Sequence, residues 1–372
     1  MDFLAKHSVK KDAKEAVDDL AKQFSGQAIK QLMFFASSRF KSDNIGKLMA
    51  DAFPGVVTFG CTSFEEYSGC KLYDGSIAAM AFGPDAFDEF VVTVADDIEH
   101  NPDGINNALT RLEKDLAKDI ATLDYTEYFG LILFDGDPVK NIDTIIASSG
   151  DRSDIVFIGG CASDHFTHSD TALFLNGVKY NRAAMLAIIK PKKPFALFKT
   201  QNAVSTGKEF MVTGSDEDRK ILKTLDGRPA VEVYAEALGL KPEQLTPSIL
   251  GRHPLGIVNF NEPFLRAIDS LVPGGGIRLI YPLEEGVPVS VFSTTDLIET
   301  TAHSLAEKHK EIGPFRAVIN FDCALRSIVL KNSGDLDKYG KLFGDAEMIG
   351  FSTYGEAYIS FSTQTAVMAV FS

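Results

Sequence analysis

Apolar positions along the chain follow two signatures, helical spacing and short continuous runs, and the order of the two recurs. Over Lys11–Phe24 the residues Ala13, Ala16, Val17, Leu20 and Phe24 share one helical face, and the run Gln31–Ala36 then reads as a strand. A second helix, Asn44–Phe53, stops before Pro54-Gly55, and Val56–Phe59 reads as a buried strand entering a loop, Gly60-Cys61-Thr62-Ser63. Strands at Ser76–Phe82 and Phe87–Ala95 complete an αβαβββ unit.

The order returns with a helix at Ile105–Ile120, a strand at Phe129–Phe134, a helix at Val139–Ser148 and a strand at Ile155–Ile158. That strand runs into Gly159-Gly160-Cys161-Ala162-Ser163-Asp164, and strands at Ala172–Leu175 and Ala183–Ile189 follow. Near the C-terminus Asp296–Glu311, Arg316–Phe321, Leu336–Phe343 and Ala346–Ile349 repeat it, with the loop Gly350–Glu356 and strands at Ala357–Phe361 and Thr365–Phe371. Residue matches support duplication: Gly46–Ala52 aligns with Gly340–Ala346, and Gly60–Glu66 aligns with Gly350–Glu356. Gly160–Ser163 is a weaker third copy.

The stretch between, Lys190–Pro288, has another character. Pro191-Lys192-Lys193-Pro194 is a linker signal, and short strands over Phe195–Leu225 end at the turn Asp226-Gly227. A helix at Pro229–Leu238 follows, then Phe264–Val272, the turn Pro273–Gly276 and a strand at Ile277–Tyr281. The expected fold is mixed α/β with α+β character: a two-lobed layered sandwich of duplicated αβαβββ units, with lobes at 1–225 and 226–372.

Composition narrows function more than fold. The 372 residues are 45% apolar and 24% charged, which excludes disordered, collagen-like and coiled-coil classes. Single cores stop growing beyond about 250–300 residues, which favours lobes or repeats. Thirty-seven basic residues against 51 acidic give a net charge of −14, a field that repels phosphate backbones, so neither nucleic acid nor membrane is expected as a partner. The longest apolar runs, such as Ala183–Ile189, have strand length, and Met1–Lys30 lacks the apolar core of an export signal. Cys61, Cys70, Cys161 and Cys323 are dispersed without a CxxC pair, as expected for reduced thiols in a cytoplasm. With 28 Phe and no Trp, the aromatic content favours a dry core.

Four motifs carry a family resemblance: Gly60-Cys61-Thr62 through Glu66, Gly159-Gly160 with Ala162 and Asp164, Phe321-Asp322-Cys323-Ala324-Leu325-Arg326, and Gly350-Phe351 through Tyr354-Gly355-Glu356. Together, over about residues 28–366, they resemble the paired N- and C-terminal segments of FIST domains (F-box and intracellular signal transduction). The resemblance implies a sensory module for small ligands such as amino acids, with haem-based nitric oxide sensing in some bacterial members. FIST domains often sit beside output domains. None fits within this chain, so output is expected through a partner protein. One position departs from the family pattern: Glu65 stands before Glu66 where Gly is common.

Gly and small hydroxylated residues at strand ends suit a ligand site, because they admit the backbone closely and add donors without bulk. Thr62, Ser63, Ser163, Ser352 and Thr353 could converge on one cleft, or could be turn and cap residues duplicated with the fold. Arg326 could hold a carboxylate in its planar fork and Glu356 an amine, with Tyr354 lining the pocket. The alternative is an internal Arg–Glu pair, with Arg39–Glu66 as its twin. Cys323 is either a ligand contact or a small buried thiol, since no Cys/His motif accompanies it. His165 and His168 lie in the one His-dense segment and could ligate a metal or a haem iron, or simply be solvated.

No dinucleotide, P-loop, GxSxG or HExxH signature is present. The expected function is sensing of a small polar, amino-acid-like metabolite in a cleft between the duplicated lobes, without a cofactor. The alternatives are an enzyme using Cys323 or the Glu66 and Glu356 carboxylates, a haem-based nitric oxide sensor, and an interaction module with an empty cleft.

Overall fold

The computed structural model describes all residues except 1, 41–43, 102, 136–141, 143–144, 147–151 and 260. The expected helix at Val139–Ser148 falls largely outside the described residues. The chain forms two compact units, one of Met1–Thr200, Ala302–Phe361 and Ala366–Ser372, the other of Gln201–Thr301 and Ser362–Thr365.

Along the chain come β1 (Phe3–Ser8), helix α1 (Ala13–Gln23), β2 (Gln31–Ser37), helix α2 (Ile45–Ala52) and β3 (Val57–Ser63). A short hairpin, β4 (Glu66–Ser68) and β5 (Lys71–Tyr73), precedes β6 (Ile77–Phe82). The second pass runs β7 (Phe87–Ala95), helix α3 (Gly104–Leu116), β8 (Phe129–Phe134), β9 (Phe157–Cys161), hairpin β10 (Leu173–Leu175) and β11 (Val178–Tyr180), then β12 (Ala184–Pro191). After β13 (Phe195–Thr200) the chain enters the second unit. That unit holds β14 (Ala203–Asp216), β15 (Ile221–Leu225), β16 (Arg228–Pro229), helices α4 (Ala230–Ala237) and α5 (Pro247–Arg252), β17 (Leu255–Asn259), β18 (Glu262–Arg266), β19 (Ile268–Val272), β20 (Gly276–Leu279) and β21 (Pro288–Thr294). Helix α6 (Leu297–Ile312) leads into the third pass: β22 (Ala317–Cys323), helices α7 (Ala324–Ser333) and α8 (Leu336–Lys341), β23 (Glu347–Thr353), hairpin β24 (Glu356–Tyr358) and β25 (Ser360–Ser362), and β26 (Ala366–Phe371).

Three six-stranded sheets share one topology: β1-β6-β2-β3-β10-β11, β7-β12-β8-β9-β24-β25 and β13-β26-β22-β23-β4-β5. In each, two parallel strands (β2/β3, β8/β9, β22/β23) form the centre. The outer hairpin always comes from another pass of the chain. The first pass lends β4–β5 to the third sheet, the third lends β24–β25 to the second, and the second lends β10–β11 to the first. The exchange closes on itself. The fourth, eight-stranded sheet (β18-β17-β21-β14-β15-β20-β19, with β16 beside β15) belongs to the second unit.

The central strands are continuous apolar runs because both faces are covered. In β2, Met33 and Phe35 enter a core shared with Leu131, Leu133, Ile158, Phe321, Ile349 and Phe351 of the other two sheets. Leu32, Phe34 and Ala36 point the other way, onto Ala16, Leu20, Phe24 and Met49 of the helical layer. The Phe excess lies largely here: Phe35 meets Phe351 at 4.5 Å and Phe321 at 6.4 Å, and Phe3 meets Phe371 at 5.1 Å. The second unit has its own core around Leu222, Tyr234, Leu255, Ile277 and Val291.

The observed fold is mixed α/β with four sheets. In place of two duplicated lobes, three copies of one sheet pattern share one compact unit, and residue 226 lies inside the other unit. The presumed loops Gly60–Ser63, Gly159–Cys161 and Gly350–Thr353 continue strands β3, β9 and β23. Their small residues made them look like loops, but strand partners on both sides keep them extended.

Candidate functional site

At the ends of the central strands the three copies meet through side chains. Ser163 donates a hydrogen bond to the Ser352 carbonyl, its oxygen accepts from the Phe64 backbone N–H at 2.8 Å, and its own N–H reaches the Thr62 carbonyl at 3.2 Å. One serine from the second copy thus ties the first to the third. Around it the Ser352 N–H donates to the Glu65 carbonyl and the Cys161 N–H to the Gly355 carbonyl, both at 2.9 Å. The Thr62 hydroxyl accepts from Ala172 N–H at 3.0 Å. The expected hydroxyl residues Thr62, Ser63, Ser163, Ser352 and Thr353 do converge, but as a buried floor.

The two aligned glutamates repeat one local device. Ser63 donates to Glu66 Oε1 at 2.6 Å, and Thr353 donates to Glu356 three residues on. Glu66 also accepts from the Ser76 N–H at 3.1 Å and the Ser76 hydroxyl at 2.6 Å. Burial pushes the Glu66 carboxyl up to about 8, against the opposing pull of the Ser63 and Ser76 hydrogen bonds. Both glutamates are fully buried.

Arg326 is buried as well, and its Nε donates to Asp322 Oδ1 at 2.6 Å. Burial works against its charge, but the neighbouring Asp322 and Tyr339 more than offset that and raise its pKa. The Tyr67 hydroxyl donates to Asp322 Oδ2 at 3.1 Å and contacts Ser327 Oγ at 3.1 Å, which in turn sits 2.5 Å from Ser352 Oγ. Arg326, in the first turn of α7, is therefore paired internally with Asp322 of the preceding strand β22 rather than with a glutamate. Arg39 likewise pairs with Asp74, at 2.8 Å, rather than with Glu66. Cys323, also buried, ends β22 opposite Thr353.

The His-dense loop is organised around Asp164. Its carboxylate accepts from the Thr167 hydroxyl at 2.6 Å and from the backbone N–H groups of Thr167, His168, Ser169 and Asp170 at 3.0–3.2 Å. The Tyr354 hydroxyl donates to it too. Burial raises the Asp164 pKa, but these bonds outweigh it and hold the carboxyl well below the carboxylate range. Burial and Asp164 together push the Tyr354 phenol upward.

His165 spends both ring nitrogens on protein: Nδ1 on Ser38 Oγ at 2.9 Å, Nε2 on Arg39 Nε at 3.1 Å and Asp74 Oδ1 at 3.2 Å. His168 stacks on Tyr354 at 4.8 Å. Among the described residues no group of three His, Cys, Asp or Glu side chains is placed to hold a metal ion.

Above the floor lies a rim that sequence reasoning missed. Lys331 of α7 forms an ion pair with the fully buried Glu65, and its ammonium stands 5.3 Å from the centre of the Phe64 ring. Burial, and then the charge of Arg39, pull the Lys331 pKa down. Phe64 packs edge-on against Phe166 at 5.0 Å and His165 at 5.4 Å. The available signal for Lys331 was Gly334, which closes α7 in the left-handed conformation and marks a helix end after Ser333. A separate open depression of about 650 Å³ beside α3, lined by Thr110, Glu113, Lys114, Lys118 and Arg152 among others, contains none of the expected site residues.

Residues 31–228 match the FIST N domain and residues 230–358 the FIST C domain, together most of the chain. The chain belongs to the FIST family. The family is implicated in signal transduction. The junction at Ser163 lies within the FIST N match, and Ser352 and Glu356 within the FIST C match. No curated protein matches this FIST chain. Among solved structures, a chorismatase is similar over 100% of this chain and 98% of its own, at 8% identity and a TM-score of 0.38, too distant to carry an argument. Among the described residues no helix is long and apolar enough to cross a membrane.

Proposed function

We propose that this FIST chain is a sensory module that binds a small polar, amino-acid-like metabolite where the loops of the three copies meet, and passes the signal to a partner protein. The observation that carries the reading is the junction itself. Ser163 ties Phe64 and Ser352 together, so a ligand seated there would pull on all three sheets at once. Arg326 and its Asp322 partner brace the floor from inside. Anchoring of a charged ligand falls to Lys331 and Arg39 at the rim, whose side chains are 39% and 51% exposed. Thermal-shift screening over amino acids and organic acids should yield stabilising compounds, and Lys331→Ala should abolish the stabilisation. A screen in which no compound raises the Tm sinks the reading.

One observation favours an enzyme as the second reading. Glu66, with its pKa near 8, is protonated at neutral pH and could serve as a general acid toward a substrate that reached it. Infrared titration of the carboxyl band in wild type and Glu66→Gln tests this. A band belonging to Glu66 that titrates near pH 4.5 removes the basis for it.

A further inference from the structure

We propose that the rim formed by Phe64, Phe166, Lys331 and Arg39 binds small monoanions with a planar aromatic body, the ring lying against the two phenylalanines and the acid group on Lys331. This rests on the ligand-sensing reading and names the class of ligand. Phe166 is a large apolar side chain left 44% exposed to solvent. It is nevertheless held at φ +58°, with His168 at +53°, a backbone region that costs a side-chain-bearing residue energy. Asp164 meets that cost by binding four consecutive backbone N–H groups of the loop. Tyr354 locks the same loop by accepting the Phe166 N–H at 2.8 Å and backing its ring at 5.6 Å. The loop therefore presents an aromatic ring to solvent in a fixed position beside Phe64.

Charge selects the rest of the ligand. Glu65 is buried, and among the described residues no hydrogen bond reaches either of its carboxylate oxygens; the Lys331 ammonium is its ionic partner. A buried carboxylate without hydrogen bonds depends on that ammonium, so the pair stays formed and fixes Lys331 at the rim with its solvent side free for a ligand. A ligand acid group can take the solvent side of the same ammonium, while the ligand's ring stacks against Phe64 and Phe166. A second negative charge on the ligand would meet Asp74, which already pairs with Arg39 and His165, so monoanions are preferred.

The test is calorimetric titration of the full chain with benzoate, with cyclohexanecarboxylate (same charge, no planar face) and with benzamide (planar, uncharged). Benzoate should bind at least about tenfold tighter than either. Phe166→Ala and Lys331→Met should each weaken it about tenfold, Phe166→Tyr and Lys331→Arg should restore it, and Glu65→Gln should tighten it. Phe166 is a surface position whose variants should keep the wild-type Tm; Lys331→Met strands the charge of buried Glu65, so its effect is also measured in the Glu65→Gln background, where no buried charge is left unpaired. Equal binding of the three probes, or variants without effect, overturns the proposal. If benzoate fails to bind while an amino acid or aliphatic acid stabilises the protein, the ligand class falls and the sensing reading stands. If no compound binds, both fall.

Discussion

Glu66 and the strand glycines show how single residues set the terms of this fold. The Glu66 carboxyl has an ordinary pKa of 4.5 and rises to about 8 in the native protein, so between those values the folded state holds a proton that the unfolded chain releases. Its contribution to stability is complete below the ordinary value and is lost as the pH rises through about 8. Denaturant unfolding of wild type at about pH 5, 7 and 9 should show this decline, and Glu66→Gln, a neutral isostere, should flatten it. An unchanged slope in the variant would mean that another group titrates. The glycines act through space. A Cβ on Gly60 would lie 1.7 Å from the Phe34 carbonyl oxygen, one on Gly159 1.7 Å from that of Ile132, and one on Gly350 2.2 Å from that of Asn320. Each copy thus has a glycine where its two parallel strands approach. Gly60→Ala, Gly159→Ala and Gly350→Ala should each cost at least about 3 kcal/mol in chemical denaturation. Gly251→Ala, in a helix with open space around it, should be neutral or stabilise by about 0.5–1 kcal/mol.

The element that decides the architecture is the lent hairpin. Strands β4, β10 and β24 are three residues each, too short to show a period of two, and this is why the sequence revealed the central strands but not the exchange between them. The helices and central strands were legible because both faces of those strands are buried and the helical faces are clean: the central strand Phe129–Phe134 is read with the observed ends. Strand β1 was missed because its interior residues are only half-buried and include Lys6 and His7. Site residues followed the same division. The hydroxyls and glutamates stood out through repetition, whereas Lys331 lies outside the repeated loop and meets Glu65 and Phe64 only through the exchange. If Ser163 is the tie between copies, Ser163→Ala should cost about 2 kcal/mol or more, because it leaves the Phe64 N–H and the Ser352 carbonyl without their partner. Hydrogen exchange in that variant should rise at β4 and β24 before it rises at β2 or β22. Uniform change across all strands would mean that Ser163 is one polar contact among many.

At the scale of the whole molecule, two hydrophobic cores must be reconciled with one chain. The first unit buries the facing sides of three sheets around Phe35, Phe321 and Phe351, and the second gathers Leu222, Tyr234, Leu255 and Val291 in a cluster of its own. Each is large enough to unfold cooperatively, and the closed exchange of hairpins makes the first unit melt as one body although it contains three copies, since no copy keeps a complete sheet without the others. Calorimetry should therefore show two transitions, or one whose calorimetric enthalpy exceeds the van't Hoff value, and never three or more. Phe351→Ala and Leu255→Ala remove fully buried side chains from different cores and should each cost about 2–5 kcal/mol, each displacing a different transition. A ligand seated at the Ser163 junction should raise only the transition that Phe351→Ala lowers, because the junction lies wholly within the first unit. If both substitutions lower one shared, fully two-state transition by similar amounts, the two cores fold as one, and a signal generated at the junction would reach the whole chain directly.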